Sequence, residues 1–336
     1  MSRIVITGGA GFIGSQLGHS LYQDGHDVIL VDDMSFGYED NLVVDGSRFG
    51  EFVEDDVRSS SMNDVLKGAD YVFHFAGISS LPVCQQDPYR AFDVNVGGTV
   101  NILECARRNG VKRLVFASTS AIYENNTRYP CWESDKVDPD LVYAMSKLQA
   151  EMVCRSYFKN YDFNVVVLRY YNVYGPHQDY RRKSPPFVGY VLKELLDGNT
   201  PVLHSDGTQK RDYVYVDDVN SLNKLCMVHP SAAGEVFNVA SGDCYSVNEI
   251  YDILSGLMET EIEPIFKEAS SFWNRYEELF SGPYPFSRSR VEKEVNKFTL
   301  GANWKASKLL GWSSEVSIYD GMKSIVKYIK NDRGGV

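Results

Sequence analysis

In the stretch DLVYAMSK a phenol, Tyr143, and an ammonium, Lys147, stand four residues apart, one turn of a helix. The same spacing occurs on solvated helix faces where a lysine snorkels, so the pair alone leaves two readings open, surface or chemistry. The chemistry would be removal of a proton from a hydroxyl. Tyrosine titrates near 10 and is a poor base at neutral pH unless nearby cations favour its phenolate, each pH unit of depression needing about 1.4 kcal/mol. Lys147 is placed to supply part of that, and Thr119, which ends the β-rich run RLVFAST, is placed to hold the same hydroxyl. Loss of that proton together with a hydride leaves a ketone, which requires a hydride acceptor bound alongside.

The start of the chain offers a place for one. RIVITGGAGFIGSQLGHSLYQDG reads as strand, glycine-rich turn and helix, with Gly8, Gly11 and Gly14 spaced GxxGxxG so that backbone can approach a diphosphate at the helix N-terminus. A second apolar run, DVILVDD, ends in Asp32 and Asp33; a carboxylate there accepts both adenosine ribose hydroxyls and repels a 2′-phosphate. No Arg or Lys lies between Asp33 and Ser47, so NAD is the expected cofactor rather than NADP. Further strands at EFVEDDV, YVFHFAG, RLVFAST and NVVVLRYYN alternate with helical segments such as NVGGTVNILECARRNG, which predicts an α/β fold with a doubly wound parallel (Rossmann) sheet. Asp56 and Val57, then Phe75, Ala76 and Gly77, then Ser118 and Thr119 close successive strands, at the ends where ligands bind in such sheets.

Composition narrows the alternatives. A chain of 336 residues with 43% hydrophobic and 24% charged residues is an ordinary globular one, large enough for a main domain and a smaller lobe. A net charge of −11 argues against a nucleic-acid partner. No run approaches a membrane span and MSRIVITGG has no signal-peptide pattern, so no membrane partner and a cytoplasmic location are expected. Cys84, Cys105, Cys131, Cys154, Cys226 and Cys244 are scattered without paired spacing, which predicts free thiols and no metal site.

The motifs TGGAGFIG, STSAIY, YAMSK, LRYYNVYGP and RDYVYVDDV, in this order over roughly residues 3 to 330, resemble the extended short-chain dehydrogenase/reductase superfamily, in its nucleotide-sugar epimerase and dehydratase branch. The resemblance implies that Thr119, Tyr143 and Lys147 are the catalytic triad. It implies that Gly8, Gly11, Phe12, Ile13, Gly14, Asp32, Asp56, Val57, Ala76, Asn95, Ser118 and Tyr170 contact NAD, and that Asn172 and Arg211 hold the diphosphate of a nucleotide sugar. Ser120 and Lys183 are further substrate candidates, Lys183 together with Arg182 as a partner for phosphate or carboxylate. Residues 1–175, with 206–240 returning, are expected to form the NAD-binding domain; 176–205 and 241–330 form the sugar-nucleotide lobe. In the family, helices like VGGTVNILECARR and SKLQAEMVCRSYF pair across a two-fold axis as a four-helix bundle, which implies a homodimer.

Within the branch, dehydratases read Thr-Asp-Glu where this chain reads Thr119-Ser120-Ala121, and decarboxylases keep a Glu at the place of Ala121. What remains is oxidation at C4, rotation of the keto sugar and return of the hydride to its other face, the reaction of a UDP-hexose 4-epimerase. GDP-mannose 3,5-epimerase has a Cys at the position of Ala121 and a lysine comparable to Lys183; the Cys is missing here. Thr299, thirteen residues before Trp312, stands where a bulky Tyr excludes N-acetyl sugars in some relatives, so UDP-N-acetylhexosamine is an expected substrate too. The alternatives are a nucleotide-sugar dehydrogenase or reductase, a C3 or C5 epimerase, and a non-catalytic NAD-binding protein on the same fold. Two departures from the family are Ser79, in place of a lysine near the NAD diphosphate, and Glu124, in place of a glycine after Tyr123. The aromatics of SSFWNRYEELFSGPYPFSR are read as core rather than pocket wall.

Overall fold

The computed structural model describes residues 1–44 and 46–334. Six strands in chain order, β1 (Arg3–Thr7), β2 (Asp27–Asp32), β3 (Glu51–Glu54), β4 (Tyr71–His74), β5 (Arg113–Thr119) and β6 (Val165–Tyr170), join a later one, β9 (Val236–Val239), in one sheet. Its order is β9-β6-β5-β4-β1-β2-β3, and every pairing is parallel. Strands β5 and β6 are buried along their whole length, which is why they read as unbroken apolar runs rather than as alternating ones. Chain order reverses direction between β1 and β4, the crevice where open parallel sheets bind their ligands.

Helices cover both faces. On one side α1 (Phe12–Gln23) buries Leu17 and Leu21, and α5 (Val216–Val228) buries Val219 and Leu222, against the same apolar layer. On the other, α2 (Thr99–Arg108) and α3 (Val142–Tyr161) bury Ile102, Leu103, Ala150 and Cys154. Each such leucine contributes roughly 2 kcal/mol by leaving water, so the sheet is clamped before any polar group is counted. The register brings strand ends level: Thr7 pairs with Val31 and His74, Asp32 with Glu54, and Thr119 with Tyr170. The residues singled out for chemistry therefore lie along one rim.

A smaller sheet stands beyond that rim. β7 (Asn172–Tyr174) pairs in parallel with β8 (Lys210–Tyr215), and β8 runs antiparallel to β10 (Cys244–Ser246). Around it α4 (Phe187–Leu196) and α6 (Val247–Met258) close a separate apolar cluster including Val191, Leu192, Ile250 and Leu254. Helix α6 starts on a capping box in which Ser246 and Glu249 satisfy each other's backbone donors. Finally α7 (Arg288–Asn296) packs with Trp273, Tyr276 and Leu279 onto Leu141, just ahead of α3. Among the described residues no helix is long and apolar enough to cross a membrane, and no group of three His, Cys, Asp or Glu could hold a metal ion.

Candidate active site

A cleft of about 360 Å³ runs along the C-terminal rim of the sheet. One end is walled by Gly8, Gly11, Phe12, Ile13, Gly14, Asp32, Asp33, Asp56 and Val57; Phe75, Ala76, Gly77 and Ser118 follow; Thr119, Tyr143, Lys147 and Tyr170 stand at the other end. Glycine is obligatory in two places. A Cβ on Gly14 would lie 2.1 Å from the carbonyl oxygen of Gly8, and Gly8 itself has a φ of +71° with Ala76 N only 2.8 Å from where its Cβ would be. The turn can therefore press against the next strand while its N–H groups face the cleft, an arrangement suited to a diphosphate.

Asp32 is buried and held by backbone: Ala10 N and Met34 N each donate to its carboxylate at 3.0 Å. Burial pushes its pKa above the ordinary value, opposed by those same N–H groups. Of the nearby cations, Arg58 is engaged by Asp56 and Asp93, so it is not a free partner for an added phosphate. These residues fit a dinucleotide with an unmodified ribose. Asn95 does not line the cleft; it sits one layer behind, its Oδ1 accepting from Ile78 N at 2.8 Å and its Nδ2 donating to Ile78 O and Ser146 Oγ. It shapes the wall at Gly77, where a Cβ would lie 2.8 Å from its Oδ1.

At the chemical end, Thr119 closes β5 and its Oγ1 accepts from Ala121 N at 3.1 Å, starting the tight turn Ser120–Tyr123. Tyr143 is the second residue of α3, half-buried, and close enough to the Thr119 hydroxyl for that group to favour its phenolate. One turn on, Lys147 is 5% exposed with its Nζ 4.6 Å from the centroid of the Phe116 ring. Burial lowers the Lys147 pKa to about 8 and raises the Tyr143 pKa to about 12. The sequence reading makes Lys147 a cation that acts on the phenol; in the structure the groups that favour the phenolate are Thr119 and Arg182, and the Cys84 thiol opposes them. The physical reason is that Lys147 packs down onto Phe116, whereas Arg182 enters the cleft from the loop after β7.

The position of α3 is set by a buried pair. Glu151, one turn beyond Lys147, accepts from Arg169 of β6 in a two-pronged contact of 3.0 and 2.8 Å, and Ser118 Oγ donates to the same carboxylate. Tyr123 and Asn238 extend the network, with Arg169 Nη1 donating to Tyr123 Oη at 2.6 Å and Tyr123 Oη donating to Asn238 Oδ1 at 2.9 Å. Strand, turn and helix are thereby fixed against one another beneath the reacting groups.

A second cleft of about 510 Å³ adjoins the first through Val173, Gln178 and Pro186. Asn172 and Arg211 line it, with Tyr190, His204, Lys267, Phe272 and Arg275. Arg211 is less free than its spacing implies: Nη1 and Nη2 donate to the carbonyls of Lys297, Glu294 and Val295 at the end of α7, so it presents its charge to the cleft while serving as a helix cap. Lys183 lines neither cleft and lies over the Tyr276 ring at 4.8 Å. Arg288, Arg290, Lys293 and Lys297 are likewise engaged, by Asn274, Asp140, Asn125 and Glu294. Ser120 and Thr299 share a small void holding no more than about one water; Thr299 Oγ1 accepts from Asp212 N at 3.2 Å. Arg182, which the sequence reading named beside Lys183 as a partner for phosphate or carboxylate, lines the first cleft; Arg90, Lys267 and Arg275 were the missed cations, since single basic residues on short elements and loops carry no spacing that marks them. Of the aromatic stretch, Trp273 and Tyr276 are core and Phe272 faces the second cleft.

The model of the NAD dependent epimerase/dehydratase family matches residues 4–240. The chain belongs to that family. It is 32% identical to a UDP-glucose 4-epimerase of Mycolicibacterium smegmatis over 98% of this chain and 99% of that one. Among solved structures, the UDP-glucose 4-epimerase of Thermotoga maritima with UDP-glucose superposes with a TM-score of 0.86 at 31% identity, covering 98% of this chain and 99% of the other. The UDP-N-acetylglucosamine 4-epimerase of Methanobrevibacter ruminantium, in complex with UDP-N-acetylmuramic acid, gives a TM-score of 0.86 at 26% identity, with coverage of 98% and 99%. The fold expected from the sequence, a doubly wound parallel sheet with NAD as cofactor, is that of this family.

Proposed function

We propose that the protein is a UDP-sugar 4-epimerase that uses NAD without net consumption. The observation that carries this reading is the placement of Thr119, Tyr143 and Lys147 together at one end of a glycine-walled cleft, with no carboxylate beside Thr119 in that cleft to drive an elimination. The acids that line it, Asp32, Asp33, Asp55, Asp56 and Asp179, belong to other elements and to the adenosine end or the Arg182 loop. When bound, NAD supplies the hydride acceptor and, oxidised, a positive ring beside the phenol. Tyr143 takes the proton of the sugar 4-hydroxyl as the C4 hydride leaves and returns it when hydride comes back to the opposite face. Thr119 holds the hydroxyl in line. Bringing the phenol from about 12 to neutrality takes about 7 kcal/mol of preference for the phenolate beyond what Thr119 and Arg182 already give, and the positive ring of the bound cofactor would supply it.

Gly8, Gly11, Phe12, Ile13, Gly14, Asp32, Asp33, Asp56, Val57, Phe75, Ala76, Gly77, Ser118 and Tyr170 would hold NAD, and Asn95 supports them from behind. Asn172, Arg211, Lys267 and Arg275 would hold the nucleotide diphosphate. The presence of two adjoining clefts supports a division into an NAD-binding body and a sugar-nucleotide lobe, with Asn172, Arg211 and Tyr213 of the former reaching into the second cleft. Acceptance of N-acetyl sugars rests on the small Thr299 side chain and needs the wall around its void to yield. The outward faces of α2 and α3 carry exposed Val100, Met152 and Tyr161, which supports a homodimer through a four-helix bundle. Six free cysteines support a reducing, cytoplasmic setting.

The test is incubation with UDP-glucose and with UDP-N-acetylglucosamine without added cofactor, followed by NMR. Inverted C4 epimers are the expected product; steady accumulation of NADH with a released keto sugar would make the protein a dehydrogenase instead.

A further inference from the structure

We infer that Glu124 is a positioning residue for Tyr143, a brace that locks the turn after Thr119 to the first turn of α3. The inference rests on the epimerase reading of this site. Glu124 directly follows the turn Ser120–Tyr123, and its own N–H donates to Ala121 O at 3.0 Å. Its Oε1 accepts from two successive backbone donors on the other segment, Asp140 N and Leu141 N, the latter at 2.9 Å. Leu141 is the N-cap of α3 and brings no side-chain cap of its own; Tyr143 is two residues further on. The carboxylate accepts from the N-cap N–H as the third-position acid of a capping box does elsewhere, but from a residue seventeen positions earlier.

That origin is what gives it a catalytic consequence. Because both N–H groups converge on a single oxygen, the brace sets the separation of the two backbone segments that carry Thr119 and Tyr143 to the wall of the same cleft. An anion at this end of α3 also complements the helix dipole. The surrounding charges come from α7 and its exit: Lys297 favours the carboxylate's charge and Glu294 opposes it, while Arg290 engages Asp140. Asn125, the next residue, donates to Asp138 O at 2.6 Å and to Asp140 Oδ2 at 3.0 Å, so the same loop is tied down twice. Placement errors of about 1 Å in such a pair cost up to roughly 100-fold in rate.

The experiment compares native enzyme with Glu124→Ala and Glu124→Gln, the cofactor left in place. It reads kcat and KM for UDP-glucose, the thermal midpoint, and amide hydrogen exchange at Asp140 and Leu141. The Ala variant is expected to lose about tenfold or more in kcat with KM within about twofold, and to exchange those two amides faster. Gln offers an oxygen at the same reach and is expected to restore kcat to within about threefold. Native kcat in the Ala variant, equal loss in Ala and Gln, or unchanged exchange at Asp140 and Leu141 would overturn the brace. Should the Ala variant not fold, Glu124→Gln against Glu124→Asp decides: the shorter Asp is expected to be the slower enzyme, and equal rates overturn the idea. If native protein inverts no sugar nucleotide, the functional reading fails by itself, and the exchange comparison still decides the brace.

Discussion

Lys147 is buried without a carboxylate partner of its own, because Glu151 is occupied by Arg169 and Ser118. Its replacement by Met should therefore stabilise the nucleotide-free protein while destroying its activity. The ordinary lysine value of 10.5 falls to about 8 here, so below pH 8 folding carries a cost of about 3 kcal/mol for burying the charge. The Phe116 ring under the ammonium returns about 1 kcal/mol of that, leaving a gain of about 2 kcal/mol for Met. The sign follows from proton linkage: the unfolded chain keeps this proton to pH 10.5, the folded protein releases it near 8, and native stability rises with pH between those values. The advantage of Met is thus largest below pH 8 and gone above 10.5. For a chain of this length the unfolding entropy is roughly 0.7 kcal/mol/K, which converts the gain into about 3 °C at pH 7. Urea and thermal unfolding of nucleotide-stripped protein at pH 7 and pH 9.5 measure it, and kcat of the reconstituted variant should fall by at least about 100-fold. A Met variant no more stable than native at pH 7, or a gain that grows with pH, would refute the picture of an uncompensated buried ammonium.

Two further perturbations separate cofactor grip from lobe architecture. Gly14→Ala puts a methyl 2.1 Å from Gly8 O, so the purified variant should lack bound nucleotide, read by the absence of NAD in a denatured extract, and should not be rescued by substrate. Arg211→Met leaves the carbonyls of Glu294, Val295 and Lys297 without their half-buried donors and should cost about 2 kcal/mol of stability in urea unfolding, more than removal of a surface arginine.

The rim of the sheet was legible because it is local. A glycine turn, a strand-end carboxylate and a Tyr/Lys pair on one helix are written within short windows, and parallel pairing brings their ends level. Residues whose role depends on distant partners were not. Nothing near Arg211 in sequence announces that its guanidinium caps a helix 83 to 86 residues later. Lys183 has the composition of a substrate ligand, yet the turn of its loop sends Arg182 into the cleft and lays Lys183 on Tyr276. Glu124 was visible only as a departure; its meaning depends on where Asp140 and Leu141 return. Spacing along the helix says where Lys147 starts and not that its ammonium lies over the Phe116 ring.

The central claim is that one hydride leaves C4 of the sugar and comes back to the same carbon, with Tyr143 moving the proton. UDP-glucose carrying deuterium at C4, turned over in ordinary water and followed by NMR, tests it directly. The account predicts UDP-galactose with the deuterium still at C4, and no detectable product from Tyr143→Phe over the same time. Loss of the label to solvent, or inversion that survives without the phenol, would contradict it.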